Sequence, residues 1–227
     1  MSNKRTLEIA MLFNENAGQL QRLLEERRYT YVESGATYSG QWLGGFRHGK
    51  GKITFTDGAV YEGDWNLGHA QGEGKFTQES GDVYEGDWAA NMRHGRGISV
   101  SYSGGKYEGQ WHRNAQEGVG VEVWPEGSYF RGTYSDGKKN GFGQYYWHDG
   151  AFYEGNWEDN KITGFGTYRW ADKKEFTGEW QARKMVGFGL YTWADGRRYE
   201  GFFTRDKRQG YGIYMMPDGN TYSGSWY

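Results

Sequence analysis

The chain has 227 residues, with 39 Gly, 11 Trp, 19 Tyr, 12 Phe, two Pro, no Cys and a formal net charge of −2. The lack of cysteine excludes a disulfide framework and a thiolate metal site. The near-neutral charge gives no nucleic-acid footprint, and no run of 18 apolar residues is available to span a membrane as a helix. So much glycine and polarity suggests disorder, but disordered chains lack aromatics; here the apolar content sits in rings that each bury roughly 150–250 Å².

The first element in chain order is an N-terminal segment, residues 1–30, that reads as helical and is too charged for a signal peptide. Leu7, Ile9, Ala10, Met11, Leu12 and Phe13 make an apolar start. Phe13, Ala17, Leu20 and Leu24 then recur at i, i+4, i+7 and i+11, an amphipathic stripe. Asn16 and Gln19 resemble a capping box, which suggests two helices meeting near residues 14–18. Two readings stay open. The segment caps the open edge of the first repeat, or it is a docking helix whose contacts are Phe13, Leu20 and Leu24.

Residues 31–227 are a repeat. Aromatics stand at Tyr38, Tyr61, Tyr84, Tyr107, Phe130, Tyr153, Phe176, Tyr199 and Tyr222, every step being 23 residues. Each is followed two residues later by Gly and two further on by Trp42, Trp65, Trp88, Trp111, Tyr134, Trp157, Trp180, Phe203 or Trp226. A Gly-x-Gly follows in eight of the nine, from Gly49/Gly51 to Gly210/Gly212. A fixed period of this size marks an array of supersecondary units.

Each unit reads as two strands. Tyr61, Gly63 and Trp65 alternate with Val60, Glu62 and Asp64, the period-two signature of a strand. Residues 72–76 form the second strand, with a longer turn between. The units are joined by Asp57-Gly58, Asp149-Gly150, Asp195-Gly196 and Asp218-Gly219, strong hairpin-turn signals. Lys173 breaks that pattern, so its turn is expected to be looser or of another type. A ring needs area to lie across, and a glycine without Cβ leaves it open. No unit can bury its rings alone, so stability comes from neighbours.

Tyr61-Glu62-Gly63-Asp64-Trp65 followed by Gly72-x-Gly74 is similar to the MORN repeat (membrane occupation and recognition nexus), as are Tyr84-Glu85-Gly86-Asp87-Trp88 and Tyr153-Glu154-Gly155-Asn156-Trp157. The resemblance covers about residues 35–227 in nine copies. Phe130-Arg131-Gly132-Thr133-Tyr134 and Phe176-Thr177-Gly178 depart from it by losing the acidic residue. It implies an all-β fold: an elongated, twisted, single-layer antiparallel sheet of β-hairpins with a grooved aromatic face. It also implies a scaffold at cytoskeletal, ciliary or axonemal, or membrane-contact structures. The expected address is the cytoplasm or a structure in it.

Catalytic chemistry finds little support. Gly44-x-x-x-x-Gly49-Lys50 is similar to a phosphate loop, but Gly51 stands where Ser or Thr is needed and a strand follows instead of a helix. His48, His69, His94, His112 and His148 form no close-spaced ligand pair and read mostly as turn residues. Glu and Asp recur in nearly every unit, whereas a catalytic dyad needs one unusual environment. No enzyme activity, cofactor or metal is expected.

Three surfaces are candidates for partners. The longer turns carry Arg47, Arg93, Arg113, Lys138, Lys139, Lys161, Arg183, Lys184, Arg205, Lys207 and Arg208, and the shorter turns carry Asp57, Glu79, Asp82, Glu126, Asp149, Asp172, Asp195 and Asp218. This predicts a basic edge for an anionic partner and an acidic edge opposite. Ser99 and Ser101 occupy slots held by aromatics in other units, which turns Ile98 and Val100 outward. Val121 and Val123 face the same way with Glu122 inward, and the four predict a small apolar docking patch. Tyr145, Trp147, Tyr168, Trp170, Tyr191 and Trp193 line a groove for an extended or helical peptide, or else serve as core. The last strand is expected to lack a neighbour, so a partner or a second copy is predicted to form a homodimer through the C-terminal edge.

The reading is a non-catalytic scaffold or adaptor in a multi-subunit assembly. The alternatives are an anionic phospholipid (phosphoinositide) module that tethers a complex to membrane, and a regulatory subunit of an enzyme.

Overall fold

The computed structural model describes residues 23–227. Among them there are eighteen strands. They are β1 (Glu25–Thr30), β2 (Thr37–Leu43), β3 (Phe46–Thr54), β4 (Val60–Asn66), β5 (His69–Thr77), β6 (Val83–Ala89), β7 (Met92–Val100), β8 (Lys106–His112), β9 (Ala115–Val123), β10 (Tyr129–Ser135), β11 (Lys138–Tyr146), β12 (Phe152–Glu158), β13 (Lys161–Arg169), β14 (Glu175–Gln181), β15 (Lys184–Thr192), β16 (Arg198–Thr204), β17 (Lys207–Met215) and β18 (Thr221–Trp226). The chain divides into two compact units, one holding β1 to β7 and the other β9 to β18, with β8 shared between them. In the first unit each strand pairs antiparallel with the next, from β1–β2 to β6–β7. In the second the same holds from β9–β10 to β17–β18.

The two glycines of each Gly-x-Gly have separate causes. In β5, four residues from Gly74 back to Ala70 span what Gly63 to Trp65 span in β4. Gly72 absorbs that irregularity at φ +85°, a region costly for residues with a Cβ. Gly74 lies beneath the ring of Tyr61, where an added Cβ would come within 2.4 Å of Tyr61 Oη. The Tyr61 hydroxyl then donates to the Asp64 carbonyl at 3.0 Å, which fixes the ring flat on the strand.

The core of each unit is a row of such rings. In the first, Tyr38, Trp42, Tyr61, Trp65, Tyr84, Trp88 and Trp111 are buried; in the second, Tyr107, Phe130, Tyr134, Tyr153, Trp157, Phe176, Trp180, Tyr199 and Phe203 are.

Three sequence expectations are corrected. Glu25–Thr30 is a strand, not the end of a helix. The open edge of β2 supplies a ladder of hydrogen-bonding groups that outweighs local helical composition, and Trp42 Nε1 donates to the Arg27 carbonyl at 3.2 Å. Leu24 is half-buried just before this strand; Phe13 and Leu20, with the proposed helices, lie outside the described residues. Second, the longer turn is short. β4 and β5 are joined by Leu67-Gly68 alone, both with positive φ, as are Arg113-Asn114, Asp136-Gly137 and Arg205-Asp206 at equivalent positions. These are the primed two-residue turns that suit the twist of a hairpin. As a result Arg47, Arg93, Lys138, Lys139, Lys184, Lys207 and Arg208 are strand residues, and so are all the histidines except His148. Third, Lys173 adopts the same turn as its glycine counterparts. Its N–H donates to the Trp170 carbonyl at 2.9 Å, as Gly150 does to Trp147 at 3.0 Å, with Lys173 held at φ +67°.

Candidate functional site: an aromatic groove

β11, β13 and β15 each place a Tyr, and the Trp just beyond each strand, on the face that carries the core rings. In the second unit these side chains run as a ladder. Trp124 stacks on Tyr145 at 5.1 Å, Tyr145 meets Trp147 at 4.3 Å, and Trp147 meets Tyr168 at 5.1 Å. Tyr168 meets Trp170 at 4.7 Å, Trp170 meets Tyr191 at 5.6 Å, Tyr191 meets Trp193 at 4.6 Å and Trp193 meets Tyr214 at 5.6 Å. Unlike the buried rings beneath, every member is half-buried. The six groove residues expected from sequence are brought together here, joined by Trp124 and Tyr214, which sequence reasoning passed over. Trp124 follows the expected slot only after the irregular Val121-Glu122-Val123 segment, but its position two residues beyond Glu122 was a usable signal.

A groove of about 870 Å³ runs over the first part of this ladder, with Trp124, Tyr145, Trp147, Tyr168 and Trp170 on one flank; Tyr191, Trp193 and Tyr214 lie outside its lining. Its other flank is formed by side chains near the two-residue turns, including Ile162, Arg183, Met185 and Asp206. The first unit has a smaller groove of about 290 Å³ lined by Phe55, Phe76, Arg93 and Ser99 among others. Ser99 has no ring to offer, so the aromatic ladder is not continued there.

One polar cluster enters the larger groove. Glu122 turns onto the aromatic face and its Oε2 accepts from Tyr134 Oη at 3.0 Å and Lys139 Nζ at 2.9 Å. Lys139 Nζ also lies 4.7 Å from the centre of the Trp124 ring. Burial, with the Glu122 charge second, pushes the Tyr134 hydroxyl far above its ordinary value. Tyr134 stands where most repeats have Trp, and the carboxylate gives its hydroxyl the partner that an indole N–H finds in a backbone carbonyl.

The basic edge is split by the structure. Arg47 packs over Trp65 at 4.2 Å, Arg93 over Trp111 at 4.6 Å and Arg208 over Trp226 at 4.2 Å, so with Lys139 these four lie on the aromatic face rather than along the edge. Period-two alternation extends into these strands and decides their side. Lys138 pairs with Asp159 and Lys184 with Asp206. Arg113, Arg183 and Arg205 occupy turn tips, and Lys161 and Lys207 the strand positions beside them; all five are exposed. The carboxylates of Asp57, Asp149, Asp172, Asp195 and Asp218 are largely engaged in their own turns, each accepting from the backbone N–H two residues on.

Ile98 and Val100 sit on β7 opposite Glu85 and Val83, with Val100 exposed. Val121 and Val123 sit on β9 opposite Arg131 and Tyr129, with Val123 exposed. Among the described residues, no group of three His, Asp or Glu could hold a metal ion.

The MORN repeat family model matches eight consecutive segments, residues 38–60, 61–83, 84–106, 107–129, 130–152, 153–174, 176–197 and 199–221. The ninth copy read from sequence lies beyond the last match, in β18, where Tyr222 meets Trp226 at 5.5 Å. No curated protein matches the chain. Among solved structures, it is similar to the TCP10 domain of Danio rerio CPAP, at 11% identity and TM-score 0.48, covering 88% of this chain and 94% of that one. The Drosophila melanogaster SAS-4 (dCPAP) TCP domain in complex with a Proline Rich Motif of Ana2 gives 13% identity and TM-score 0.39, covering 88% and 90%. Virginiamycin B lyase from Staphylococcus aureus gives 8% and 0.18, covering 90% and 85%. At these scores the likenesses carry no functional argument.

Proposed function

The chain belongs to the MORN repeat family, and from that premise we propose that it is a non-catalytic scaffold whose larger aromatic groove receives an extended segment of a protein partner. The family is generally a non-enzymatic interaction module, and no catalytic family is indicated. The observation that carries the proposal is the ladder from Trp124 to Tyr214: eight half-buried rings, the first five of which line a groove of about 870 Å³. Rings needed only as core would be covered on both sides, as Tyr153 and Trp157 beneath them are. Tyr and Trp bodies with polar tips are the side chains that anchor interfaces.

The spacing selects the ligand's shape. One Tyr–Trp pair recurs in each of three consecutive hairpins, and two strands span about 9.5 Å. Three residues of polyproline II advance about 9.3 Å, so a segment in that conformation keeps step with the ladder. An α-helix advances the same distance in about 6.3 residues, which does not bring the same face round. The partner segment is therefore extended, with an anchor at every third residue. An assembly at the cytoskeleton, a cilium or an axoneme is the setting we propose for such a scaffold.

A second reading, an anionic phospholipid module, draws on the exposed Arg113, Arg183 and Arg205 at turn tips and on Lys207 in the strand position beside one of them. It is weakened by the inward turn of Arg47, Arg93, Lys139 and Arg208.

The test is capture of partners by the wild-type chain and by a Trp147→Ala/Trp170→Ala variant, with cross-linking mass spectrometry at low and high salt. A protein held by the wild type, cross-linked beside the groove and lost from the variant supports the scaffold reading. Identical partner sets for both chains overturn the groove. Recovery only with anionic vesicles, released by salt, moves the function to lipid, because exposed charges are screened over about 8–10 Å at physiological ionic strength.

A further inference from the structure

The residue between the two glycines of each Gly-x-Gly lies on the face opposite the groove. In the first unit this slot holds Lys50, Glu73 and Arg96. In the second it holds Val119, Phe142, Phe165, Phe188 and Tyr211. Phe202, paired with Phe188 across β15 and β16, joins them, the two rings meeting at 5.6 Å. These six side chains are between 48 and 60% exposed. Nothing in the packing of a repeat requires an aromatic there, since the same backbone position carries a charge three times in the first unit. Five consecutive apolar residues in one slot, all facing solvent, are not explained by the fold.

We propose that this stripe is a self-association surface, on which a second copy of the chain packs face to face. Three observations favour a second copy as occupant. The first is area. A large side chain buries roughly 150–250 Å² in full, so six at about half exposure leave about 600 Å² on one copy. A pair then hides about 1,200 Å², the lower end of specific interfaces. The second is spacing. The rings recur every hairpin, about 9.5 Å apart, and the shorter or polar Thr133, Asn156 and Glu179 fill the strand positions paired with Val119, Phe142 and Phe165. From Val119 to Phe188 this is an evenly spaced row of knobs and gaps, closed at one end by the Phe188–Phe202 pair, and such a row is complementary to itself when reversed by a two-fold axis, which is the condition an isologous dimer must meet. The third is charge. Glu154, Glu179 and Glu200 lie on β12, β14 and β16, the strands that alternate with those carrying the slot residues, which opposes insertion into an anionic bilayer.

The surface is distinct from the groove and from the outer edge of β18, so the experiment separates them. The full chain is compared by sedimentation equilibrium with a Phe142→Lys/Phe165→Glu/Phe188→Arg variant, which introduces the side-chain types that the same slot carries in the first unit. The wild type is expected to be a dimer in the micromolar range and the variant a monomer, with near-ultraviolet circular dichroism of the aromatic ladder unchanged. Should the triple variant lose that signal, Phe165→Glu alone must weaken the dimer about tenfold or more. A wild-type chain that stays monomeric overturns the proposal, whether it remains free or floats with vesicles. So does a folded variant that remains dimeric, which would assign association to the β18 edge instead.

Discussion

Trp65 closes over Tyr38 from the preceding repeat. Their ring centroids lie 5.4 Å apart at 88°, and Trp65 Nε1 donates at 3.0 Å to the carbonyl of Gly51, the glycine on which Tyr38 lies. The same arrangement recurs with Trp88 over Tyr61 and Trp157 over Phe130. Each tryptophan thus completes the core of the repeat before its own, which makes the folding of one hairpin depend on the next.

Trp157 offers a direct measure of that coupling. Its Nε1 donates to the Gly143 carbonyl at 3.2 Å while its ring covers Phe130 at 5.4 Å. Trp157→Ala should cost about 3–5 kcal/mol in urea unfolding. Trp157→Phe keeps a ring but orphans the carbonyl, and should cost about 1–3 kcal/mol.

Gly166 tests the ring-on-glycine packing. A Cβ there would come within 2.4 Å of Tyr153 Oη. Gly166→Ala should destabilise by about 1–3 kcal/mol through overpacking. In a double-mutant cycle with Tyr153→Ala the two effects should be strongly non-additive, because removing the ring removes the clash.

Lys173 occupies a glycine slot at φ +67°. A residue with a Cβ pays about 1–2 kcal/mol in that region. Lys173→Gly should raise the unfolding free energy by about 1 kcal/mol, the Lys174–Asp172 pair at 2.6 Å being left in place. A neutral or destabilising result would show the turn to be relaxed around lysine.

The tyrosine row sets an alkaline limit. Burial pushes the Tyr84 hydroxyl up to about 12, and Tyr38, Tyr61, Tyr107 and Tyr153 are raised in the same direction for the same reason. An unfolded tyrosine releases its proton near 10. The folded state therefore holds protons that the unfolded state has lost, and stability falls as pH rises. Denaturation midpoints should be unaffected by these groups below about pH 10 and drop between about 10 and 12, with the tyrosinate absorbance of these five buried rings appearing together with unfolding rather than before it.

The groove's spacing is tested with a labelled peptide bearing proline at every third position. Fluorescence anisotropy should show binding to the wild-type chain and at least a tenfold loss with Trp147→Ala/Trp170→Ala. An amphipathic helical peptide of equal length should bind more weakly; equal or tighter binding by the helix would remove the argument from spacing.

The 23-residue register, the strand identity of residues such as Tyr61 to Trp65, and the packing of rings on glycines were determined by sequence alone. Each of these is local and repeats without interruption, so the pattern carries its own confirmation. Only tertiary structure decided the rest. Glu25–Thr30 has no alternating apolar signal and became a strand because β2 offered an unpaired edge. Arg47 and Lys139 read as turn charges because no ring marks the start of their strands, and their side was set by pairing with Trp42 and Tyr134 across the hairpin. The exposure of the Trp124–Tyr214 ladder and of the stripe through Phe165 depends on what lies against each face. Periodicity assigns a side chain to a face, but only the folded sheet shows whether that face is covered.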